Sequence, residues 1–275
     1  MKITHDFHIH THLSHCGHPS AQVEHYMKTA KELGLKKIGF ADHFWDSPID
    51  GSLIPGWGFY APEDGKLEHQ NYEHLLRIKP ELEKYADPDV QVYFGCETEY
   101  DPIHRGVAVT EETAEKFDFI IVPQSHTHIT MPKDLYQPYQ KHLDYMIQAY
   151  DDILDSPVSR YITAVVHPFE AVCCPYDNTI LINMLSEDVM KRLFTKSAEK
   201  NIAFEINVSQ MMNKTPEQIA ECAQMRMFKI VKECGCKFIF GSDSHDNETH
   251  KKYGNAQLAA DLLGLTEEDI APIAR

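Results

Sequence analysis

The chain has 275 residues, with 26 basic and 42 acidic side chains that give a formal net charge of −16. Its 43% hydrophobic and 25% charged residues are typical of a globular protein and exclude collagen-like, disordered and membrane-spanning chains. The negative charge disfavours long nucleic acid as a partner, because phosphates are repelled. A length near the ~250 residues of one (β/α) barrel favours a single domain over residues 1–275.

The chain shows no membrane or export signal. No apolar run reaches the ~18 residues of a membrane helix, and the start, Met-Lys-Ile-Thr-His-Asp, turns polar too early for a signal peptide. We expect a cytoplasmic protein with no membrane partner. Its seven cysteines lack paired CxxC spacings, so reduced thiols are expected. The sequence leaves the oligomeric state open.

Strand and helix patterns alternate along the chain. Short runs rich in β-branched and aromatic residues predict seven strands, at 3–8, 37–41, 90–96, 117–123, 161–166, 203–207 and 237–240. Amphipathic segments predict helices between them, at 21–33, 72–85, 139–154, 187–200 and 216–234. Because parallel strands need long crossover connections, this order predicts a parallel α/β sheet.

One connection, residues 44–70, is too long and too rich in glycine and proline for a simple turn. It is a candidate lid or substrate-contacting loop. Its Trp45 and Trp57 could stack on a substrate ring or pack the loop against the barrel.

Histidine is over-represented, with 17 residues, and metal binding is the usual reason for such an excess. Metal-competent side chains fall at the carboxyl ends of six predicted strands, namely His8, His10, His43, Glu97, His126, His167, Asp243 and His245. In a parallel barrel these ends meet on one face, where active sites are built. The chain-wide spread of these residues is therefore compatible with one site.

Strand geometry places both imidazoles of His8-Ile9-His10 on one side, and the same parity holds for Asp243 and His245. With His18 in the loop after the first strand, the candidates number nine, too many for one ion. We therefore expect two or three transition-metal ions. Mixed imidazole and carboxylate ligands suit Zn, Fe or Mn.

At these residues the sequence resembles the PHP (polymerase and histidinol phosphatase) superfamily. The matching motifs are His8-Ile9-His10-Thr11, Ala41-Asp42-His43, Gly95-Cys96-Glu97, Ser125-His126, His167-Pro168 and Gly241-Ser242-Asp243-Ser244-His245. The resemblance implies a distorted (β/α)7 TIM-like barrel with parallel strands and a trinuclear metal centre.

The resemblance also implies a division of ligands among three ions. His8, His10, Glu97 and Asp243 would hold the first, and Glu97 would bridge to a second bound by His126 and His167. His18, His43 and His245 would hold the third. His18 is chosen because of its spacing to His43, and His15 stays open as the alternative. Asp42 is expected to orient His43.

The implied activity is hydrolysis of a small phosphate monoester, possibly L-histidinol phosphate, by a metal-activated hydroxide. Asp243 or His245 is the candidate proton donor to the leaving group. Arg105, Asn207 and Arg226 are candidate substrate contacts, and the expected partner is a small phosphorylated metabolite. The alternatives are a nucleotide or short-oligonucleotide phosphatase or exonuclease of the same superfamily, and a non-catalytic metal-binding regulator.

Overall fold

A computed structural model describes residues 1–57, 67–171, 174, 176–177, 179–211, 213–253 and 255–275. Seven parallel strands form a nearly closed barrel, as predicted, and each predicted strand overlaps an observed one. The strands are β1 (His5–Ile9), β2 (Lys37–Phe40), β3 (Gln91–Thr98), β4 (Phe119–Pro123), β5 (Ala164–Val166), β6 (Ala203–Asn207) and β7 (Phe238–Gly241). They pair in chain order from β1 to β7.

The barrel closes where its first and last strands end. The backbone N–H of Asp243 donates to the carbonyl of His8 at 2.8 Å, and that of His10 donates to the carbonyl of Ser244 at 2.9 Å. A short strand, His43–Phe44, pairs in parallel with Glu97 and Thr98 at the end of β3. A small antiparallel hairpin joins Tyr100–Asp101 to Gly106–Val107. Both features lie on the face where the strands end.

The helices surround the barrel. They are α1 (Val23–Leu33), α2 (Tyr72–Leu75), α3 (Lys79–Lys84), α4 (Glu111–Ala114), α5 (Thr127–Thr130), α6 (Tyr139–Asp155), α7 (Thr179–Met184), α8 (Glu187–Glu199), α9 (Pro216–Ala220), α10 (Ala223–Glu233), α11 (Asn247–His250) and α12 (Asn255–Leu263). Each predicted amphipathic segment overlaps at least one of them, whereas α4, α5, α7, α11 and α12 lie outside the predicted segments. Among the described residues, no helix is long and apolar enough to cross a membrane.

Two predicted helices are each divided in the structure. Between α2 and α3 the chain forms a 3-10 turn, Leu76–Ile78, because Pro80 lacks an N–H and crowds the preceding turn. The segment predicted as 216–234 divides at Cys222, whose extended backbone (φ −69°, ψ 156°) ends one helix and starts the next.

The predicted lid lies only partly within the described residues, since 58–66 fall outside them. Trp45 is buried and meets Trp57 edge to face, with ring centroids 5.1 Å apart. Trp45 also packs with Ile54 and Ile129 in a small second hydrophobic cluster. The described part of this loop therefore uses its tryptophans for packing.

The barrel interior is filled by aromatic rings seated against glycines. Phe119 on β4 meets Phe7 on β1 edge to face at 5.1 Å. Gly39 on β2 and Gly95 on β3 lie directly under the Phe119 ring, so that a Cβ at either position would approach ring carbons to within 2.5 Å and 2.3 Å. Only glycine leaves room for this ring.

Gly95→Ala should therefore destabilise the fold by about 1–3 kcal/mol, because the new methyl group overpacks the core. Urea unfolding measures the loss. Gly106→Ala is the matched control, since its Cβ would make an ordinary 3.4 Å contact with Ser156 Oγ, and it should change stability by less than about 1 kcal/mol. Equal losses in the two variants would contradict the packing account.

A neutral histidine lies at the start of β1. His5 is buried between Phe7 and Phe240, and its Nε2 accepts a hydrogen bond from the backbone N–H of Phe240 at 3.1 Å. Burial lowers the pKa of His5 to about 4 against 6.5 in an exposed histidine. Protonation would place a charge in the core and remove the acceptor.

The unfolded chain therefore binds this proton at a higher pH than the folded chain, and stability falls as the pH drops from 6.5 toward 4. The His5→Gln variant cannot titrate at this position. Between about pH 7.5 and 5 its free energy of unfolding should therefore fall by about 2 kcal/mol less than that of the parent protein. Urea titrations at both pH values test this. If the free energy of unfolding of the two proteins changes equally with pH, His5 is not buried as a neutral imidazole.

Candidate metal centre

The face at the carboxyl ends of the strands collects the predicted ligands. Among the described residues, four donor groups with ligand atoms within 4.8 Å of one another are His8–His10–Asp243, His8–Glu97–His167, His43–Glu99–His126 and His10–Cys16–His43–His245. The groups share members and so form one continuous cluster. Eight of the nine predicted ligands belong to it, and His18 does not.

The Nε2 atoms of His8 and His10 face each other at 3.1 Å. His8 Nδ1 donates to the Glu205 carboxylate at 2.7 Å. His10 Nδ1 donates to Ser14 Oγ at 3.2 Å, because that hydroxyl donates its own proton to Asp42 at 2.8 Å. Burial would lower the pKa of His8, but the charges of Glu205, Asp243 and Glu97 raise it well above the ordinary value. In the metal-free protein a protonated His8 can therefore donate from Nε2 to His10 Nε2, and both Nε2 atoms are the ones available to a metal ion.

The distances among His8, His10 and Asp243 suit the ligands of one metal ion, and Glu97 lies beside both histidines through different oxygens. Ligand atoms about 2.1 Å from a tetrahedral Zn²⁺ lie about 3.4 Å from one another. His8 Nε2 lies 3.5 Å from Glu97 Oε1 and 3.6 Å from Asp243 Oδ1. His10 Nε2 lies 3.5 Å from Glu97 Oε2 and 3.5 Å from Asp243 Oδ1. His8, His10 and Asp243 therefore fit the first predicted ion, and Glu97 lies next to them with one oxygen toward each histidine.

A second position lies beside Glu97 Oε1, which is 3.2 Å from His167 Nε2 and 3.8 Å from His126 Nε2. His126 Nδ1 donates to both oxygens of Glu99 at 3.0 Å, so its Nε2 is the free ligand atom. Glu97, His126 and His167 are therefore the residues that would hold the second predicted ion.

Glu97 is fully buried, and burial alone would raise its pKa. The charges of His126, His8 and His43 outweigh burial and hold the pKa of Glu97 well below its usual range. His43 Nδ1 lies 3.0 Å from Glu97 Oε2. The carboxylate is therefore anionic at neutral pH and available as a bridging ligand.

The backbone at two ligands is strained. Asp243 has φ +51° and His167 has φ +29°, in the left-handed region that side chains other than glycine rarely occupy. Strained backbone of this kind persists only where the surrounding structure holds the residue in place, which is common at functional sites. Asn207 Nδ2 donates to Asp243 Oδ2 at 3.1 Å, so the predicted substrate contact Asn207 lies inside the cluster and orients a ligand.

Asp42 holds the loop after β1. Its carboxylate accepts hydrogen bonds from the Thr11 backbone N–H and hydroxyl, both at 2.6 Å, and from Ser14 Oγ. Ser14 also links Asp42 to His43, because the His43 backbone N–H donates to Ser14 Oγ at 3.3 Å. Asp42 therefore fastens the loop after β1 beneath the cluster.

The loop after β1 places its two histidines differently. His18 is exposed, and its Nδ1 is engaged by Ser20 Oγ at 2.8 Å, away from the cluster. His15 stacks on His43 with ring centroids 4.9 Å apart. Burial and the nearby charges of His43 and His10 lower the pKa of His15 to about 2. The geometry favours His15 over His18 as the histidine that lies against the site.

Two predicted phosphate contacts point elsewhere. Arg105 is 64% exposed and forms an ion pair with Asp152 at 2.9 Å. Arg226 donates to the backbone carbonyls of Ile182 and Leu185. The structure brings neither arginine to the cluster. Each is held by partners that are distant in the sequence and that its spacing does not reveal.

Three residues of this site are not among the site residues predicted from the sequence. Glu99 bonds His126, Glu205 holds His8, and Cys16 lies with His10, His43 and His245. Glu205 Oε2 also accepts the backbone N–H of His167 at 2.7 Å. Glu97 and Glu99 are two residues apart on β3, so strand geometry points both side chains to the same side, as it does for His8 and His10. This spacing is the sequence signal that could have identified Glu99.

The fold and site define a class: distorted TIM-like barrels whose strand ends carry a histidine and carboxylate cluster that could hold metal. The PHP domain family model matches residues 6–209, and the chain belongs to this family. The resemblance predicted from the motifs is confirmed.

Several known proteins are similar to this chain. A protein of Clostridium novyi (strain NT) named "Probable phosphatase" is 26% identical over 260 residues, which cover 94% of this chain and 87% of the relative. A second one so named, from Clostridium acetobutylicum, is 23% identical over 98% of this chain and 89% of the relative.

A solved structure has the same fold. It is the histidinol phosphate phosphatase of Lactococcus lactis subsp. lactis Il1403, complexed with Zn, L-histidinol and phosphate. The likeness has a TM-score of 0.63 at 16% identity and covers 96% of this chain and 95% of that one.

Removing the partner of His8 should weaken metal binding. Glu205→Ala frees His8 Nδ1 and is expected to lower affinity for the first ion by about 10–100-fold. Competition with a fluorescent zinc chelator measures the affinity. Glu205→Gln keeps an acceptor and should lose less, and an unchanged affinity in Glu205→Ala would show that Glu205 does not orient His8.

Proposed function

We propose that this protein is a metal-dependent phosphatase that hydrolyses a small phosphate monoester. The observation that carries the proposal is the convergence on Glu97 of ligand atoms from His8, His10, His126 and His167 at 3.2–3.8 Å. Family membership and the phosphatase names of the Clostridium relatives support the reaction class.

His8, His10, Glu97 and Asp243 would hold one ion, and Glu97, His126 and His167 a second. Bound ions supply a water nucleophile at neutral pH and positive charge against phosphate oxygens. The protein fixes the ligand atoms in advance, because Glu205, Ser14 and Glu99 orient their imidazoles. Preorganisation of this kind avoids a reorganisation cost during the reaction.

The exposure of the ligands indicates how a substrate enters. His8, His10 and Glu97 have no exposed side-chain surface, whereas Asp243 is 18% and His245 33% exposed. A phosphate reaching the site therefore meets Asp243 and His245 first. Burial would raise the pKa of Asp243, but the charges of His8 and His245 hold it well below its usual range, so Asp243 is anionic. Of the predicted pair, His245 is therefore the side chain that could hand a proton to the leaving alkoxide.

A small phosphorylated metabolite is the proposed substrate class, and L-histidinol phosphate is the first compound to test. The Lactococcus lactis structure of the same fold is complexed with L-histidinol and phosphate, which supports this choice. A net charge of −16 suits a substrate with a cationic amine. A nucleotide or short-oligonucleotide substrate is the second candidate, favoured only by family membership.

A panel of phosphate esters tests the proposal. The metal-loaded protein should release phosphate from p-nitrophenyl phosphate and faster still from L-histidinol phosphate, and slowly or not at all from bis(p-nitrophenyl) phosphate or an oligonucleotide. Preference for mononucleotides would select the second candidate. Absence of hydrolysis on the whole panel would leave the non-catalytic regulator as the better account.

Glu97→Gln should lower phosphatase activity by about 100-fold or more, because an amide replaces the bridging carboxylate. Elemental analysis should show fewer bound ions in the same preparation. Glu112→Gln, which alters a carboxylate that is 88% exposed on α4, is the control and should keep full activity. Full metal content and activity in Glu97→Gln would remove Glu97 from the site.

A further inference from the structure

We infer that Cys16 supplies a thiolate ligand to a metal ion held with His43 and His245 at the outer edge of the cluster. The inference rests on the proposed metal-dependent function and adds a sulfur ligand to its centre. In the structure, Cys16 Sγ and one ring nitrogen each of His10, His43 and His245 all lie within 4.8 Å of one another. A thiolate with imidazoles is a ligand set that binds Zn²⁺ in proteins.

The turn that carries Cys16 is built to hold it there. The backbone N–H of Ser14 donates to the Thr11 carbonyl at 3.1 Å, and that of Gly17 donates to the Ser14 carbonyl at 2.9 Å. A Cβ at Gly17 would lie 2.0 Å from the Thr11 carbonyl oxygen. The close approach requires glycine at 17 and keeps Cys16 over the site.

The same turn is tied to the far end of the chain. His18 N–H donates to the carbonyl of His245 at 2.9 Å, so the backbone after Cys16 is joined to the segment that carries another proposed ligand. The His18 side chain meanwhile bonds Ser20. His18 therefore anchors the loop through its backbone, and Cys16 is the residue of this turn that belongs to a donor group, while His15 packs on His43.

The Cys16 thiol is exposed at the rim of the cluster, so a metal ion and the solvent can both reach its sulfur atom. On binding, the thiol proton leaves to solvent and the sulfur electron pair forms the metal bond. Sulfur also favours Zn²⁺ over Mg²⁺ or Ca²⁺ at this position.

Cobalt provides a readout that is independent of turnover. Full-length protein is stripped with a chelator and titrated with Co²⁺, and thiolate ligation gives a charge-transfer band in the near ultraviolet. We expect this band in the parent protein and its loss in Cys16→Ser and Cys16→Ala. Elemental analysis after zinc loading should show about one ion fewer per chain in both variants.

Two variants serve as controls. Cys222→Ser alters a partly exposed thiol that belongs to none of the four donor groups, and it should keep the band and the ion. His18→Ala removes the side chain that the sequence predicted as the loop ligand, and this variant should also keep the charge-transfer band and the ion. A band that survives in Cys16→Ser, or an ion that is lost in His18→Ala but kept in Cys16→Ser, would overturn the inference.

The same measurements distinguish failure of the sulfur ligand from failure of the proposed metal-dependent phosphatase function. Parent protein that binds ions and hydrolyses p-nitrophenyl phosphate without a thiolate band would disprove the sulfur ligand alone. Parent protein that binds no ion would disprove both. Alkylation with iodoacetamide, followed by mass spectrometry, gives a second measurement, since bound metal should protect Cys16 and leave Cys222 unprotected.

Discussion

The structure depends on a buried carboxylate surrounded by imidazoles. Glu97 is fully buried, and its oxygens lie 3.0–3.8 Å from ring nitrogens of His8, His10, His43, His126 and His167. A buried carboxylate without partners costs several kcal/mol, so its position requires positive charge close by. Protonated imidazoles supply some of this charge, and bound cations would supply more.

A layer of further carboxylates supports this arrangement. Glu205, Glu99 and Asp42 each accept hydrogen bonds from a ligand or from the loop that carries one. Asp6 accepts the backbone N–H groups of His8 and Ser242 and so joins the first strand to the segment after the last. The electrostatics of the centre and the closure of the barrel are therefore parts of one hydrogen-bonded structure.

The features that could be predicted from the sequence are those governed by a regular period. Strand parity placed His8 with His10, and the alternation of strands with helices put residues as distant as His8 and Asp243 on one face. The side chains in loops follow no period. His18 and Cys16 are two residues apart, and only the hydrogen bonds of the turn determine which of them faces the cluster. Arg105 likewise forms an ion pair with Asp152, which lies 47 positions away in the sequence, and does not point to the cluster.

The seam between β1 and β7 has a consequence for biosynthesis. His8 and Asp243 belong to the same donor group and are joined there by a backbone hydrogen bond. A ribosome must therefore synthesise the chain from His8 through Asp243 before this group can be completed, because proteins are made from the amino terminus onward. Shorter nascent chains carry many of the histidines but lack Asp243, so the complete centre arises only when β7 docks against β1.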